Sequence, residues 1–195
     1  MILSEVRKKH IILASKSPRR QQLLAGLDID FEIRIKDVPE VYPPALQREE
    51  IPRYLSRLKA DAFRLEMSDN ELVITSDTIV YLDGKVIEKP ADEEEAKAML
   101  RVISGQCHTV ITAVTLMTKN HSITFHDETK VWFKQLKEDE IEYYISRYKP
   151  LDKAGAYGVQ EFIGYIGVQR MEGSYFNVMG LPLHRLYEEL EKFPC

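Results

Sequence analysis

The stretch Ile11-Ile12-Leu13-Ala14-Ser15-Lys16-Ser17-Pro18-Arg19-Arg20 opens with a short apolar run and ends in hydroxyls and cations. Leu23, Leu24 and Leu27 follow at helical spacing. That order reads as strand, loop and helix N-terminus, with a strand over 10–14 and a helix over 18–25. Ser17 suits the N-cap and Pro18 the first helical position. A helix begun this way aims unpaired N–H groups and its positive dipole end at the loop, and Arg19 and Arg20 add bidentate donors. The segment therefore describes a candidate site for a phosphate-bearing ligand. The competing explanation is an ordinary helix start with surface arginines. There is no Gly-rich run ending in Gly-Lys-Ser/Thr and no dinucleotide glycine spacing, so neither of those phosphate motifs applies.

The rest of the chain alternates strands and helices. A strand is expected over 29–35, then a turn through Pro39, Pro43 and Pro44. A helix is expected over 48–66, with Ile51, Leu55, Leu58, Ala62 and Leu65 on one face. An apolar strand from Leu72 to Leu82 meets Asp83-Gly84, a hairpin signal, with a return strand over 85–87. Asp92 caps a helix running to Ile103, closed by Ser104-Gly105. Segments 108–118 and 123–133 read as a hairpin around Asn120. A helix over 138–148 turns Ile141, Tyr144, Ile145 and Tyr148 inward. After a glycine-rich loop at 150–160, strands are expected near 163–171 and 174–179 with a turn at Gly173. Pro182 opens a last helix with Leu183, Leu186, Tyr187 and Leu190 on one face. Intermingled strands and helices with hairpins indicate an α/β domain on a mixed sheet.

At 195 residues the chain suits one domain, residues 1–195, with a sizeable core. Its net charge of −4 argues against bulk attraction to nucleic acid or anionic membranes, so any basic site must be local. Cys107 and Cys195 suggest no disulfide framework. The first residues lack a long apolar core with a small-residue cleavage site, and no apolar run reaches membrane-spanning length. A cytoplasmic location is the resulting expectation. His10, His108, His121, His126 and His184 form no metal-ligand pair of the His-Glu-x-x-His kind, and no Cys-x-x-Cys or Gly-x-Ser-x-Gly is present.

Polar residues interrupt the apolar patterns at a few places. Asp77 lies inside Val73-Ile74-Thr75-Ser76-Asp77-Thr78-Ile79-Val80, where a carboxylate is expensive without a partner. It either caps a strand irregularity, or holds a metal or takes a proton from water. Lys59 falls about 80° from Ile51 on a helical wheel, at the edge of the apolar stripe. It either reaches a cleft or snorkels to solvent. Lys89 is held extended before Pro90, and Glu40 sits in the proline-rich turn; each alone reads as solvated. In Pro150-Leu151-Asp152-Lys153-Ala154-Gly155-Ala156-Tyr157-Gly158-Val159-Gln160, small residues permit close backbone approach to a ligand, while Asp152, Lys153 and Gln160 bring polar contacts. A structural Ω-type loop is the alternative there.

Taken in order, the blocks 14–20, 54–60, 76–80 with 88–90, 104–110 and 152–160, and the tail Gly173 to Pro182, resemble the Maf family of nucleotide pyrophosphatases, also called the septum-formation inhibitor family. The resemblance covers Ile11 to Leu190. It implies a two-lobed single domain of α/β class, with an elongated mixed sheet flanked by helices and a central cleft, similar to inosine triphosphatases. It also implies hydrolysis of a nucleoside triphosphate to monophosphate and pyrophosphate with a divalent cation, Mg²⁺ or Mn²⁺, in a homodimer. By resemblance, Asp77, Lys59 and Lys89 are catalytic, with Asp77 the proton acceptor. Ser15, Arg19, Arg20, Glu40, Thr78 and Gln160 bind substrate, and Glu40 and Asp77 face the metal. Arg19, Thr78 and Gln160 match positions tied to base selectivity, and the form of the 152–160 block resembles the branch acting on dTTP and UTP. Two departures stand out: Ser76 where alanine is usual, and Glu161-Phe162 where glycine more often follows Gln160. A nucleotide-binding regulator of septum formation and an enzyme clearing modified pyrimidine nucleotides are the alternatives.

Overall fold

The computed structural model describes residues 3–194, so Cys195 lies outside the described residues. Its strands are β1 (His10–Leu13), β2 (Glu32–Ile33), β3 (Glu71–Leu82), β4 (Lys85–Ile87), β5 (Cys107–Met117), β6 (Ser122–Phe133) and β7 (Val168–Glu172). Its α-helices are α1 (Pro18–Ala25), α2 (Glu50–Asp61), α3 (Glu93–Ile103), α4 (Glu138–Tyr148), α5 (Phe162–Gly167), α6 (Tyr175–Val178) and α7 (Leu183–Lys192). The strands form one mixed sheet in the order β2-β1-β3-β5-β6-β7, with β4 on β3. β1 pairs parallel with β2 and β3, while β4 and β7 pair antiparallel with β3 and β6. This is the mixed α/β class expected. Among the described residues, no helix is long and apolar enough to cross a membrane.

The chain divides into two compact units. The first takes the chain up to Asp77, Thr112–Asp127 and everything from Gly180 onward. Ile12, Ala60, Phe63, Met67, Val73 and Met117 form one of its cores. The second takes Thr78–Ile111 and Glu128–Met179. Its core joins Leu100 and Ile103 of α3, Ile141, Tyr144 and Ile145 of α4, Val131 and Phe133 of β6, and Tyr157 and Ile163.

Local signals account for most boundaries. The Ser17 hydroxyl accepts from the Arg20 N–H at 3.5 Å with Pro18 in the first turn of α1. Asp83 and Gly84 have φ of 48° and 82°, the two left-handed positions of a type I′ hairpin turn. Asp92 Oδ1 accepts from the Glu95 N–H at 2.8 Å, and the chain leaves α4 through Lys149 in the left-handed region, just before Pro150.

Four expectations need correction. The strand over 29–35 shrinks to β2, because its partner β1 ends at Leu13; the Arg34 N–H to Leu13 carbonyl bond at 3.3 Å is the last the edge can make. The helix over 48–66 shrinks to α2. Arg48 has φ of 45°, incompatible with a right-handed start, and after Asp61 the bonds tighten to i→i+3. The stripe shifts accordingly: Phe63 and Met67 go inside and Leu65 is 99% exposed. Segments 163–171 and 174–179 are not two strands, since only β7 is extended there and α5 and α6 flank it. A short apolar run such as Phe162-Ile163-Gly164-Tyr165-Ile166 has no periodicity long enough to separate strand from helix. A Cβ on Gly164 would lie 2.2 Å from the Val159 carbonyl oxygen, so α5 packs directly on that backbone. Finally, Tyr148 is exposed on α4, stacked against buried Tyr144.

Candidate active site

The polar run in β3 is buried, with Thr75, Ser76 and Asp77 all at 6% exposure or less. Strand alternation sends Thr75 and Asp77 to one side and Ser76 to the other. On the first side lies α2. Thr75 Oγ1 donates to the Ser56 carbonyl at 2.6 Å, and the Ser56 hydroxyl meets Thr115 Oγ1 at 3.0 Å. One helical step further, Lys59 Nζ donates to Asp77 Oδ1 at 2.6 Å and also reaches Glu40 Oε1 at 3.0 Å. Lys59 is therefore not snorkelling: its side chain is 17% exposed and carries two carboxylates, one buried and one at the surface. The buried Asp77 has the partner its position demands.

On the other side, the Ser76 hydroxyl donates to the Gly180 carbonyl at 2.9 Å. Arg20 grips the same place, donating through Nε to the Gly180 carbonyl at 2.9 Å and through Nη1 to the Ser76 carbonyl at 2.8 Å. Desolvation pulls the Arg20 pKa below the ordinary arginine value; Asp77 opposes this, Arg19 adds to it and Glu40 opposes it. Ser15 is buried in the loop before α1. Its hydroxyl accepts from the Ser17 N–H at 3.2 Å and its carbonyl from Gln21 Nε2 at 3.1 Å. Arg19 is half-buried beside it in sequence, and Lys16 pairs with Asp37 at the surface. The first unit thus brings Ser15, Arg20, Glu40, Lys59 and Asp77 into its polar network. Gly180 is the residue that sequence reasoning missed as an anchor. Its φ of 103° just ahead of Leu181-Pro182 is the available signal, a glycine placed where the chain must turn into α7.

The remaining candidates belong to the second unit. Thr78 follows Asp77 on β3 and is half-buried, Lys89 is exposed, and Gln160 is half-buried at the end of the 150–160 loop. The Gly155 N–H bonds the Glu88 carbonyl at 3.0 Å, tying that loop to the residue before Lys89. Tyr157 is buried with its hydroxyl 2.7 Å from His108 Nε2, and both rings pack with Phe133. Burial alone lowers the His108 pKa to about 4 and raises that of Tyr157. Lys153, read as a polar contact of the loop, is internal at 8% exposure.

A divalent cation needs hard oxygen ligands, and Mg²⁺ is usually held by one or two carboxylates with phosphates and waters completing the shell. Among the described residues no group of three or more His, Cys, Asp or Glu side chains converges. Asp77 and Glu40 do converge on one positive centre, the Lys59 ammonium. That two-carboxylate donor set fits a cation shared with a polyphosphate.

The fold is of the mixed α/β class, with two carboxylates, a lysine and an arginine gathered around a buried strand. The sequence profile described as Maf-like protein matches residues 10–193, and the chain belongs to the Maf family. A Parabacteroides distasonis protein named dTTP/UTP pyrophosphatase is 52% identical over 193 residues, covering 98% of this chain and 100% of its own. One of the same name from Bacteroides thetaiotaomicron is 53% identical over 192 residues, with 98% and 100% coverage. Among solved structures, the Staphylococcus aureus Ham1 protein superposes with a TM-score of 0.51 at 16% identity, covering 94% of this chain and 99% of its own, a likeness of fold.

Proposed function

We propose that this protein hydrolyses nucleoside triphosphates, dTTP and UTP foremost, to the monophosphate and pyrophosphate by water attack at the α-phosphorus. The observation that carries this is the Asp77–Lys59–Glu40 arrangement, a carboxylate at 6% exposure held by an ammonium. Relatives named dTTP/UTP pyrophosphatase that match the chain end to end support the substrate choice.

In this reading Asp77 accepts the proton of the attacking water, and the 2.6 Å contact from Lys59 fixes the carboxylate's orientation. Lys59, Lys89, Arg19 and Arg20 offset the charge of the polyphosphate and orient the reacting phosphorus. Asp77 and Glu40 would hold a divalent cation, Mg²⁺ or Mn²⁺, which supplies charge neutralisation on the phosphates and on departing pyrophosphate. Ser15 and the N-terminal end of α1 bind phosphate oxygens. Gln160 carries an amide donor and acceptor that complement the edge of uracil or thymine, with Thr78 and Arg19 assisting base choice. Resemblance to the family extends the proposal to a cytoplasmic homodimer, the oligomer being measurable by sedimentation.

Product analysis over a panel of nucleoside triphosphates is the test. Pyrophosphate and monophosphate from dTTP and UTP, abolished in Asp77→Asn with the fold intact, are expected. Near-normal turnover by that variant removes Asp77 from its role. No hydrolysis of any nucleotide favours a binding regulator instead, and faster release from methylated or hydroxylated pyrimidines favours the clearing role.

A further inference from the structure

Glu161 follows Gln160 in the chain, and its side chain is not at the surface. It is 20% exposed and lies across the end of the 150–160 loop. Glu161 Oε1 is 3.2 Å from Lys153 Nζ, and Oε2 accepts from the hydroxyl of Tyr144, a fully buried residue of α4. The same hydroxyl accepts the Gly158 N–H at 3.0 Å. One carboxylate thus links the start of the loop at Lys153, its late backbone at Gly158 and a rigid helix. Glu161 also shapes the chain on either side of itself. Its N–H bonds the Gly158 carbonyl at 3.0 Å, and its carbonyl accepts from the Tyr165 N–H at 3.0 Å to begin α5. The fit is close. A Cβ on Gly158 would lie 2.6 Å from Glu161 Cδ, so a larger residue there would displace the carboxylate.

The two residues between Gly158 and Glu161 are Val159 and Gln160. Val159 is packed in the core at 6% exposure, with Gly164 of α5 against its carbonyl. Gln160 is therefore bracketed by a clamped backbone on both sides. We propose that Glu161 is a positioning residue for base selection, its carboxylate stapling Lys153 to Tyr144 and so setting the backbone that carries Gln160. The inference rests on the reading of Gln160 as the base-recognising residue. Ion pairs closed off from water are costly to break on one side only, because the remaining charge is left without its partner. Without Glu161, Lys153 keeps only Asp152, at 2.7 Å and mostly exposed.

Three variants separate this inference from the reading beneath it. Glu161→Ala is expected to lower the kcat/KM preference for UTP over CTP by about tenfold, with a smaller effect on kcat for UTP. Simple loss of stability would reduce the active fraction for every nucleotide alike and leave that ratio unchanged. Glu161→Gln keeps an acceptor for Tyr144 but presents no charge to Lys153, and is expected to restore only part of the preference. Hydrogen exchange of the segment 153–161, which needs no turnover, is expected to quicken about tenfold in Glu161→Ala while α3 and α4 stay protected. Unchanged exchange in that segment overturns the staple. Unchanged preference in Glu161→Ala, where Gln160→Ala has lost it, overturns the positioning role. Preference retained in Gln160→Ala refutes the base-reading assignment instead, and the exchange result then decides the staple by itself.

Discussion

Replacing Lys59 by Met keeps the stem and removes the ammonium that Asp77 and Glu40 share. Asp77, with its side chain 9% exposed, is left as a carboxylate without its 2.6 Å donor. Breaking a buried pair from one side costs about 3–5 kcal/mol. The Glu40 arm, 46% exposed, adds only about 0–1 kcal/mol. The Arg20 charge, which interacts with Asp77, remains and reduces the loss. About 2–3 kcal/mol is the resulting expectation, or a Tm lowered by roughly 4–12 °C for a chain of this size. The double variant Lys59→Met/Asp77→Asn removes both charges and is expected within about 1 kcal/mol of the wild type, since replacing both partners of a buried pair is often neutral. The assay is urea unfolding of the two single variants and the double, read as a mutant cycle with a coupling of about 2 kcal/mol. A Lys59→Met cost below about 1 kcal/mol, or a double variant no better than Lys59→Met alone, refutes the view that Asp77 depends on this ammonium.

Further outcomes follow from the same geometry. His108 is neutral in the fold, its pKa pushed by burial from the ordinary 6.5 down to about 4, so its stabilising contribution is complete above pH 6.5 and lost as pH falls through 4. That gap corresponds to about 3 kcal/mol, and the Tm difference between wild type and His108→Gln should narrow by this equivalent from pH 7 to pH 4; a constant difference contradicts the burial argument. Gly164→Ala forces a methyl against the Val159 carbonyl and should lower stability by about 1–3 kcal/mol in urea unfolding, whereas an unchanged midpoint means α5 can lift off that backbone. Leu65→Lys, at a fully exposed site, should shift the midpoint by less than about 0.5 kcal/mol; a large loss would place Leu65 back on the apolar stripe.

What could be read from the sequence was what local chemistry decides. Ser17-Pro18, Asp83-Gly84 and Asp92 each carry their own hydrogen-bonding or φ preference, and each marks an observed boundary. The class of fold followed from their order. What could not be read depended on partners distant in sequence. β2 is short because β1 ends, a limit invisible within 29–35. α5 packs so closely on the Val159 backbone that Gly164 has no room for a Cβ, a contact invisible in its own short apolar run. For the site, Asp77 was conspicuous as a charge in an apolar strand, whereas Lys59 and Glu40 looked solvated because the Lys59–Asp77 pair crosses 18 residues of chain and the Lys59–Glu40 pair 19. Gly180 shows in the sequence only as a glycine ahead of the turn into α7; the anchoring itself is done by its carbonyl, which no residue type reveals.

The stretch from Ser15 to Arg20 divides its work more finely than its charge suggests. Arg20 spends Nε and Nη1 on the carbonyls of Gly180 and Ser76, so it first of all fixes the start of α1 to the strand that bears Asp77 and to the turn entering α7. In the middle of β3, Thr75 and Ser76 commit their hydroxyls to backbone carbonyls, and of these three neighbours Asp77 alone carries a charge. Stability does not call for that charge, because a well-packed apolar pair in place of Asp77 and Lys59 would hold the fold at least as well. Two neighbouring hydroxyls and an arginine are nonetheless spent on holding the backbone around it. Such an investment of polar bonds around one carboxylate is what positioning a reactive group requires, since a proton acceptor works only at hydrogen-bond reach of its water.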